Sequence, residues 1–358
     1  MRYLAGSEVL KNAELSGCML KTRRCHWIGW PKDVSLSKDR CAESKEVRVL
    51  FRQLEYFVAV AQERHFARAA EKCYVSQPAL SAAIAKLERE LNVTLINRGH
   101  SFEGLTPEGE RLVLWARRIL AEHDAFKAEV NAVRSGITGT LRLGTVPTAS
   151  TTASLVLSAF CSAQPLVQVQ IRSRLAATEL YRQLREFELD AAIVHAAPED
   201  ARDVDLVPLY AEHYVLLAPT DMLATSASTL SWPDAAQLPL ALLTADMRDR
   251  QIIDEAFARH AITVTPQVET DSVASLFAQV ATGNWACIVP HTWLWTSPPG
   301  GAIGAVEMVD PVLTAEIILA TNSAGPGSPV TRALVTSAQK LALNEFFDTQ
   351  LTAITRRR

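Results

Sequence analysis

One stretch of the chain, FARAAEKCYVSQPALS at residues 66–81, decides the fold of its N-terminal part. Residues 66–73 predict a short helix, and its two adjacent alanines are small enough to let another helix approach closely. The next two residues predict a turn. Ser76 can then accept a hydrogen bond from a free amide of the following helix, and Pro78 in the first turn loses no hydrogen bond. Two short helices joined by such a tight turn predict a helix-turn-helix unit.

The flanking residues supply the apolar faces that this unit needs. Before the stretch, apolar residues recur at helical spacing at Leu54, Phe57, Val58 and Ala61. After Ser76, the predicted third helix has one apolar face formed by Leu80, Ile84, Leu87 and Leu91. Residues 97–106, NRGHSFEGLT, then predict a hairpin in the position of a wing. The sequence therefore predicts three helices around a small core, followed by a wing.

The polar start of the third helix is typical of a helix that reads DNA. A helix whose N-terminal end is small, polar and unencumbered can enter the major groove. Gln77 can pair with the donor and the acceptor of an adenine edge, and basic side chains can neutralise phosphates. The candidate DNA contacts are Arg68, Ser76, Gln77, Pro78, Ser81, Lys86 and Arg98. The alternative is a unit that only packs, because helix-turn-helix shapes also serve that role.

Residues 51–98, together with LTPEGERL at 105–112, resemble the N-terminal signature of the LysR-type transcriptional regulators. VSQPALS and LTPEG are the most specific pieces, and the likeness extends over residues 50–345. The resemblance implies an α/β fold class overall: an N-terminal all-α winged helix-turn-helix, a long linker helix, and a C-terminal two-lobed α/β effector-binding domain similar to periplasmic binding proteins. It also implies a ligand-responsive regulator that binds double-stranded promoter DNA as a homodimer or tetramer, and RNA polymerase if it is an activator.

The third helix departs from the family pattern. Relatives usually carry an arginine directly after the serine of this helix, whereas Ala82, Ala83 and Ala85 occupy this part of the chain. Between residues 50 and 110, seven Lys and Arg residues stand against eight acids. We therefore expect sparse direct readout, with operator binding that is weaker and more dependent on DNA shape than in a typical relative. A sensor whose DNA specificity has degraded is the alternative.

The first 49 residues differ from the rest of the chain in charge content and in hydrophobic periodicity. They hold ten basic and six acidic side chains, and no helical or strand period persists. We expect this extension to be disordered or to lie upstream of the true translation start, and the alternative is a basic arm that touches phosphate. The expected domains are 1–49 (extension), 50–106 (winged helix-turn-helix), 107–138 (linker and dimerisation helix), 139–347 (effector-binding domain, with lobe I at about 140–209 and 312–347 and lobe II at about 210–311) and 348–358 (tail).

The linker begins where Thr106 can cap a helix and Pro107 suits its first position. The pattern predicts a helix to about residue 134, with apolar residues every seven positions at Leu112, Ile119, Phe126 and Val133. Ala116, His123 and Val130 interleave with them. Such a heptad seam predicts pairing with a second copy of the helix, and packing on its own domain is the alternative.

From residue 140 onward, strands and helices alternate, which predicts parallel sheets with sites at the carboxyl ends of strands. We expect two strands at 206–209 and 213–218, a strand at 263–268 and one helix at 329–347. The candidate effector contacts are Thr148, Ala177, Thr178, His195, Thr244 and Ala245. Hydroxyls and free amides at helix starts suit a small anion, such as a carboxylate. For Trp285, Trp293 and Trp295, packing inside a lobe is favoured over a stacking site.

Composition narrows the remaining choices. The chain has 358 residues, a net charge of −3 and 48% apolar residues, with no apolar run near the length of about 18 residues that would span a membrane. Early charges argue against a secretory signal, so we expect a cytoplasmic protein. Six scattered cysteines predict reduced thiols, no metal site and no cofactor beyond the effector. No catalytic constellation is visible, so we expect no enzyme, and solute binding or enzymatic use of the cleft is a rival. The effector, operator and target genes stay open.

Overall fold

The computed structural model describes residues 49–98, 102–196, 202–223 and 228–355. The helices are α1 Phe51–Glu63, α2 Phe66–Lys72, α3 Gln77–Leu91, α4 Pro107–Ser135, α5 Ala153–Ala163, α6 Ala177–Arg185, α7 Trp232–Ala235, α8 Arg248–Arg259, α9 Val273–Ala281, α10 Pro329–Gln339 and α11 Leu343–Thr355. The strands are β1 Ile96–Arg98, β2 Phe102–Leu105, β3 Gly139–Thr145, β4 Val167–Arg172, β5 Ala191–His195, β6 Val204–Pro219, β7 Thr229–Ser231, β8 Ala241–Leu243, β9 Val268–Thr270, β10 Cys287–Pro290, β11 Ile303–Val309 and β12 Thr314–Asn322. The extension up to residue 48 and the wing tip lie outside the described residues.

The first three helices and the wing form one small core. Leu80, Ile84 and Leu87 on α3 are fully buried against residues of α1 and α2. Each such side chain stabilises the fold by roughly 1.5–3 kcal/mol relative to exposure. The wing is antiparallel, with Ile96 opposite Leu105. The predicted winged helix-turn-helix fold is therefore confirmed.

Side-chain caps set the N-terminal ends of helices α3 and α4. The Ser76 hydroxyl accepts a hydrogen bond from the Ala79 amide at 3.4 Å, which fixes the start of α3. The Thr106 hydroxyl accepts from the Gly109 amide at 2.9 Å and fixes the start of α4. Gly109 is required by close approach, because a Cβ at this position would lie 2.0 Å from the Leu95 carbonyl oxygen.

The linker helix α4 divides the predicted seam between two environments. Ala116 is buried in the core of the winged helix-turn-helix, Leu112 packs against that core, and the His123 ring stacks on Phe51 with centroids 4.0 Å apart. These residues therefore face their own domain, which corrects the expectation that the whole seam faces a partner. The exposed part of the seam consists of Ile119 (42% exposed), Phe126 (70%), Val130 (43%) and Val133 (84%).

The linker also contacts the C-terminal domain through ion pairs. Arg117 bonds Glu186 at the end of α6 and approaches Glu188, whose Oε1 lies 2.9 Å from Nη2. Further along the helix, Glu129 pairs with Arg332 of α10 at 2.7 Å. Helix α4 is thus attached to both neighbouring domains.

One long strand, β6, runs through both lobes as part of an eight-stranded sheet. Strand order in the larger sheet is β4-β3-β5-β12-β6-β11-β7, and β10 also pairs with β6. Residues 204–213 of β6 pair with β12 in lobe I, whereas residues 214–219 pair with β10 and β11 in lobe II. The expectation of two separate strands at 206–209 and 213–218 is therefore wrong. The chain passes from lobe I to lobe II between His213 and Tyr214.

The sequence pattern misplaced some boundaries in the second half. The strand expected at 263–268 begins only at Val268 and runs to Thr270. The helix expected at 329–347 is two helices, α10 and α11, and α11 extends through most of the expected tail at 348–358. Strands β7 and β11 were not anticipated. The long helix α4 was predicted to within one residue at its C-terminal end.

Each lobe has its own buried core. In lobe I, Phe160 and Tyr181 pack against the inner residues of β3 and β5. In lobe II, Trp232 and Phe257 pack on one side of the strands, while Trp293 and Leu276 pack on the other. None of the described helices combines the length and apolarity needed to cross a membrane.

Candidate functional sites

The N-terminal edge of α3 is exposed while its opposite face is buried. Gln77 and Pro78 are exposed and Ser81 is half-buried, close to the exposed cap residue Ser76. In the preceding turn, Tyr74 has a left-handed φ of 56°, and its side chain is almost entirely exposed to solvent. Since the apolar residues of α3 hold its other face, this edge is free to meet another molecule.

The predicted phosphate contacts are held by acids. Lys72 forms an ion pair with Glu63, with 2.9 Å between Nζ and Oε1. Arg68 also lies beside the Glu63 carboxylate, and its guanidinium donates to the Glu63 backbone carbonyl at 2.6 Å. Lys72 lowers the pKa of Glu63, so this carboxylate stays charged. Lys86 lies 3.7 Å from Glu90. Phosphates would therefore have to compete with protein carboxylates for these cations. Arg98 ends β1, and its side chain lies outside the described residues.

Two predicted effector residues, Thr148 and His195, come together between the lobes. Both are buried: Thr148 follows β3, and His195 ends β5. The Thr148 hydroxyl donates to Asp249 Oδ2 at 2.8 Å, and the Thr148 carbonyl accepts from the Trp293 indole at 2.6 Å. Since Asp249 and Trp293 belong to lobe II, these bonds connect the two lobes.

His195, Glu212 and Asp249 form a buried cluster, here called the interlobe triad. His195 Nε2 lies 3.4 Å from Asp249 Oδ1 and 3.6 Å from Glu212 Oε2. Tyr214 donates to Asp249 Oδ1 at 3.2 Å, and Thr292 donates to Glu212 Oε1 at 3.2 Å. Glu212 sits in β6 next to the point where this strand passes from lobe I to lobe II.

Burial and charge act in opposite directions on these groups. Burial disfavours the imidazolium of His195, but Asp249 and Glu212 outweigh it and raise the His195 pKa to about 10. Burial raises the pKa of Glu212. For Asp249, burial also favours the neutral acid, but the positive charge of the adjacent His195 prevails and lowers the Asp249 pKa. The triad therefore holds at least one proton near neutral pH.

Sequence reasoning missed Glu212 and Asp249. Glu212 lies in the mostly apolar strand β6, whose other acid, Asp205, is exposed, so an acid flanked by apolar residues was the available signal. Asp249 lies in the first turn of α8, where an acid also complements the helix dipole, so its position had an ordinary explanation. The expectation of no metal site relied on local spacing, and it missed three potential ligands that are far apart in the chain.

The other four predicted effector residues make no hydrogen bond to the triad in the described part of the chain. Ala177 and Thr178 begin α6, where Thr178 is exposed. The Thr244 amide donates to the Thr270 carbonyl at 3.1 Å, so it is not free for an anion. Ala245 is exposed. Two carboxylates are already buried beside His195 and would repel an anion placed directly against them, and the anionic effector stays a prediction.

A cavity of about 390 Å³ lies beside His195. His195, Ala196 and Glu316 line it from lobe I, and Arg248 and Arg259 of α8 line it from lobe II. The cavity leads from the surface to the edge of the triad. It is the route by which a small solute could reach the buried groups.

The three tryptophans do not form one stacking site. Trp293 and Trp285 belong to the core of lobe II, where Trp293 packs against Phe277 with ring centroids 5.8 Å apart. Trp295 packs on the lobe I core against Phe346. Packing is therefore the better interpretation of all three, with an added hydrogen bond from Trp293.

This architecture matches two family models. "Bacterial regulatory helix-turn-helix protein, lysR family" matches residues 51–110, and "LysR substrate binding domain" matches residues 134–342. The chain therefore belongs to the LysR family, a family of transcriptional regulators. It is a ligand-responsive, DNA-binding regulator of the LysR type with a two-lobed effector-binding domain.

Individual relatives agree with this assignment. A probable hydrogen peroxide-inducible genes activator from Streptomyces viridosporus is 33% identical over 243 residues, which are 67% of this chain and 77% of that one. One from Mycobacterium xenopi is 38% identical over 167 residues, 46% of this chain and 87% of the other. A full-length OxyR cysteine variant from Pseudomonas aeruginosa superimposes with a TM-score of 0.69 at 26% identity, covering 83% of this chain and 97% of that chain. CbnR bound to its target DNA, at 22% identity and a TM-score of 0.57, covers 82% of this chain and 99% of its own and shares the fold.

Proposed function

We propose that this regulator reads operator DNA with the N-terminal end of α3. The observation that carries the proposal is the exposed edge of Ser76, Gln77, Pro78 and Ser81 on a helix whose other face is fully buried. Gln77 is the base-reading residue, because its amide can pair with an adenine edge. Arg68, Lys86 and Arg98 serve as phosphate contacts. Arg68 and Lys86 already have acidic partners. The electrostatic share of the DNA-binding free energy is therefore smaller than in a typical relative, and the share from indirect readout is correspondingly larger.

A gel shift tests the proposed reading helix. The full chain is titrated against its own upstream region and a scrambled duplex, with Gln77→Ala beside the wild type. Loss of Gln77 should reduce the preference at one base pair by about 1–3 kcal/mol, since one bidentate base contact disappears. The matched control is Gln170→Ala, an exposed glutamine on β4. An unchanged footprint and preference for Gln77→Ala would show that the reading helix is misplaced, and equal wild-type affinity for both duplexes would favour degraded specificity.

We propose that two copies pair through the exposed part of α4 and present two reading helices to an interrupted inverted repeat, with a tetramer as the larger assembly. CbnR, a relative in fold, has been crystallised with its target DNA. A ligand that binds more tightly when the lobes are closed would change the relative placement of these helices. Contact with RNA polymerase follows if the output is activation.

We propose that this chain does not sense its effector through a thiol at the interlobe triad, although the relatives' names refer to hydrogen peroxide. Among the described residues the cysteines are Cys73, Cys161 and Cys287, and none takes part in the hydrogen bonds of the triad. Burial raises the pKa of Cys287 far above its usual value, and a neutral buried thiol reacts slowly. We propose that the effector acts at the interlobe cavity rather than by oxidising this thiol.

We also propose that the chain has no enzymatic activity and acts in the cytoplasm, where its DNA partner is found. The two-lobed cleft is fully compatible with solute capture, so turnover or solute uptake without any DNA shift would favour the rival function.

A further inference from the structure

The interlobe triad draws its members from three separate elements. His195 ends β5 in lobe I, Asp249 lies in the first turn of α8 in lobe II, and Glu212 lies on β6, which runs through both lobes. Any ligand held by all three residues would therefore connect the lobes directly. Such a ligand would favour the arrangement in which the three side chains converge.

The distances within the triad fit metal coordination. The imidazole nitrogen and the two carboxylate oxygens lie within 4.8 Å of one another, with separations of 3.4 and 3.6 Å from the nitrogen to the two oxygens. Ligands of a tetrahedral zinc ion, at about 2.0–2.2 Å from the metal, are separated from one another by roughly 3.4 Å. The three atoms are thus already close to the spacing that a shared cation requires.

Unpartnered buried atoms point into the same site. Neither ring nitrogen of His195 nor Oε2 of Glu212 completes a hydrogen bond within the described residues, and the contacts of His195 Nε2 with the two carboxylates are ion pairs at 3.4 and 3.6 Å. The side chains of His195 and Glu212 are only 4% and 0% exposed. Buried polar atoms are almost always paired, and buried carboxylates need a counter-charge. A divalent cation would satisfy the Glu212 oxygen and one His195 nitrogen together.

The carboxylates are oriented by neighbouring hydroxyls. Thr148 and Tyr214 donate to Asp249, and Thr292 donates to Glu212. Such outer hydrogen bonds fix the position of metal ligands and keep carboxylates from rotating away. The cavity beside His195 supplies an entry path and room for a fourth, exchangeable ligand.

We propose that His195, Glu212 and Asp249 bind a divalent transition-metal ion that joins the two lobes. One imidazole and two carboxylates suit Zn²⁺, Mn²⁺ or Fe²⁺ better than soft cations, which prefer thiolates. The inference deepens the proposed function, since it rests on that function only for the regulatory consequence of lobe closure. The binding itself depends on these three side chains.

Direct metal binding by the untagged full chain tests the inference. The protein is stripped with chelator, dialysed, and titrated with Zn²⁺ by calorimetry and with Co²⁺ by absorption spectroscopy. We expect a tight site for one ion whose Co²⁺ spectrum lacks thiolate charge transfer. Loss of an outer hydrogen bond already weakens metal sites 10- to 100-fold, so Asp249→Asn and His195→Gln should each weaken binding by at least about 100-fold. Asp246→Asn, a change at an exposed acid in the loop just before α8, is the matched control and should bind as the wild type does.

Two results would overturn the metal site: a wild-type chain that binds no Zn²⁺ or Co²⁺, or triad variants that bind these ions as tightly as Asp246→Asn does. Circular dichroism checks that each variant is folded, and Glu212→Gln replaces any triad variant that is not. The wild-type Co²⁺ spectrum is decisive without any variant, because thiolate charge transfer would place the ion elsewhere. A gel shift of the metal-free chain separates the outcomes, since operator preference without metal binding rejects only the metal site.

Discussion

Replacing Phe126 by glutamate should dissociate the proposed α4 pairing. Phe126 is 70% exposed on α4, between the exposed residues Ile119 and Val133 at seven-residue spacing. A carboxylate at this position would have to be buried against a second copy of the helix, and burying an unpaired charge is strongly unfavourable. The apolar contact of the phenyl ring would be lost as well.

The size of the effect follows from the exposed area. A phenylalanine side chain buries about 200 Å² when fully covered, so covering its exposed part removes roughly 140 Å² from water. At about 25 cal/mol per Å², this is ~3.5 kcal/mol for each subunit. A two-fold dimer contains two copies of the contact, which gives at most about 7 kcal/mol, or a ~10⁵-fold weaker dimer.

Sedimentation velocity over a range of protein concentrations measures the change. The wild type should sediment as a dimer or larger assembly where Phe126→Glu sediments as a monomer. Lys127→Glu places a carboxylate at the neighbouring exposed position, with a charge change of −2 instead of −1, and should still leave the assembly intact. If Phe126→Glu kept the wild-type mass throughout the series, pairing through this part of α4 would be refuted.

Two further predictions concern stability. Gly109→Ala should lower the free energy of unfolding by about 1–3 kcal/mol, because the new methyl group would collide with the Leu95 carbonyl oxygen, whereas Gly300→Ala, which meets no atom within 4 Å, should change it by less than about 0.5 kcal/mol. Thermal melts compare the two, and equal melting temperatures would contradict the collision. In metal-free protein, native His195 keeps its proton up to a pKa of about 10, whereas the unfolded chain releases it near 6.5. The native state therefore holds more protons between these values, so the contribution of His195 to stability is complete below pH 6.5 and is lost as pH rises toward 10, a change on the order of a few kcal/mol. Denaturant titrations of wild type and His195→Gln should converge over this pH range, and parallel curves would contradict the assigned pKa.

The N-terminal half could be predicted because its signals are local. Ser76 and Thr106 cap the helices that the sequence assigns to them, and both bonds join residues three positions apart. The apolar residues of α3 share one face through helical spacing alone. The exposed edge that contains Gln77 then follows directly, since the residues between the apolar positions point away from the core.

The interlobe triad could not be predicted because its residues meet only after the lobes assemble. Thr148 and His195 were found from their positions after strands, but Asp249 reaches them from α8 in the other lobe. Glu212 reaches the triad because β6 is one continuous strand that pairs with strands of both lobes, whereas the sequence predicted two separate strands there. The seam on α4 failed partly for a related reason: a heptad pattern does not reveal that Ala116 faces the chain's own core.

The continuity of β6 limits how the lobes can move. The backbone of β6 pairs first with β12 in lobe I and then directly with β10 and β11 in lobe II. A translation that separated the lobes would therefore break backbone hydrogen bonds along β6. Torsion about β6 preserves these bonds, and the register shift opposite Ile317 and Ile318 is a place where twist can accumulate. We therefore expect the lobes to rotate relative to each other by a modest angle about the axis of β6. We do not expect a hinge motion that opens the whole cleft.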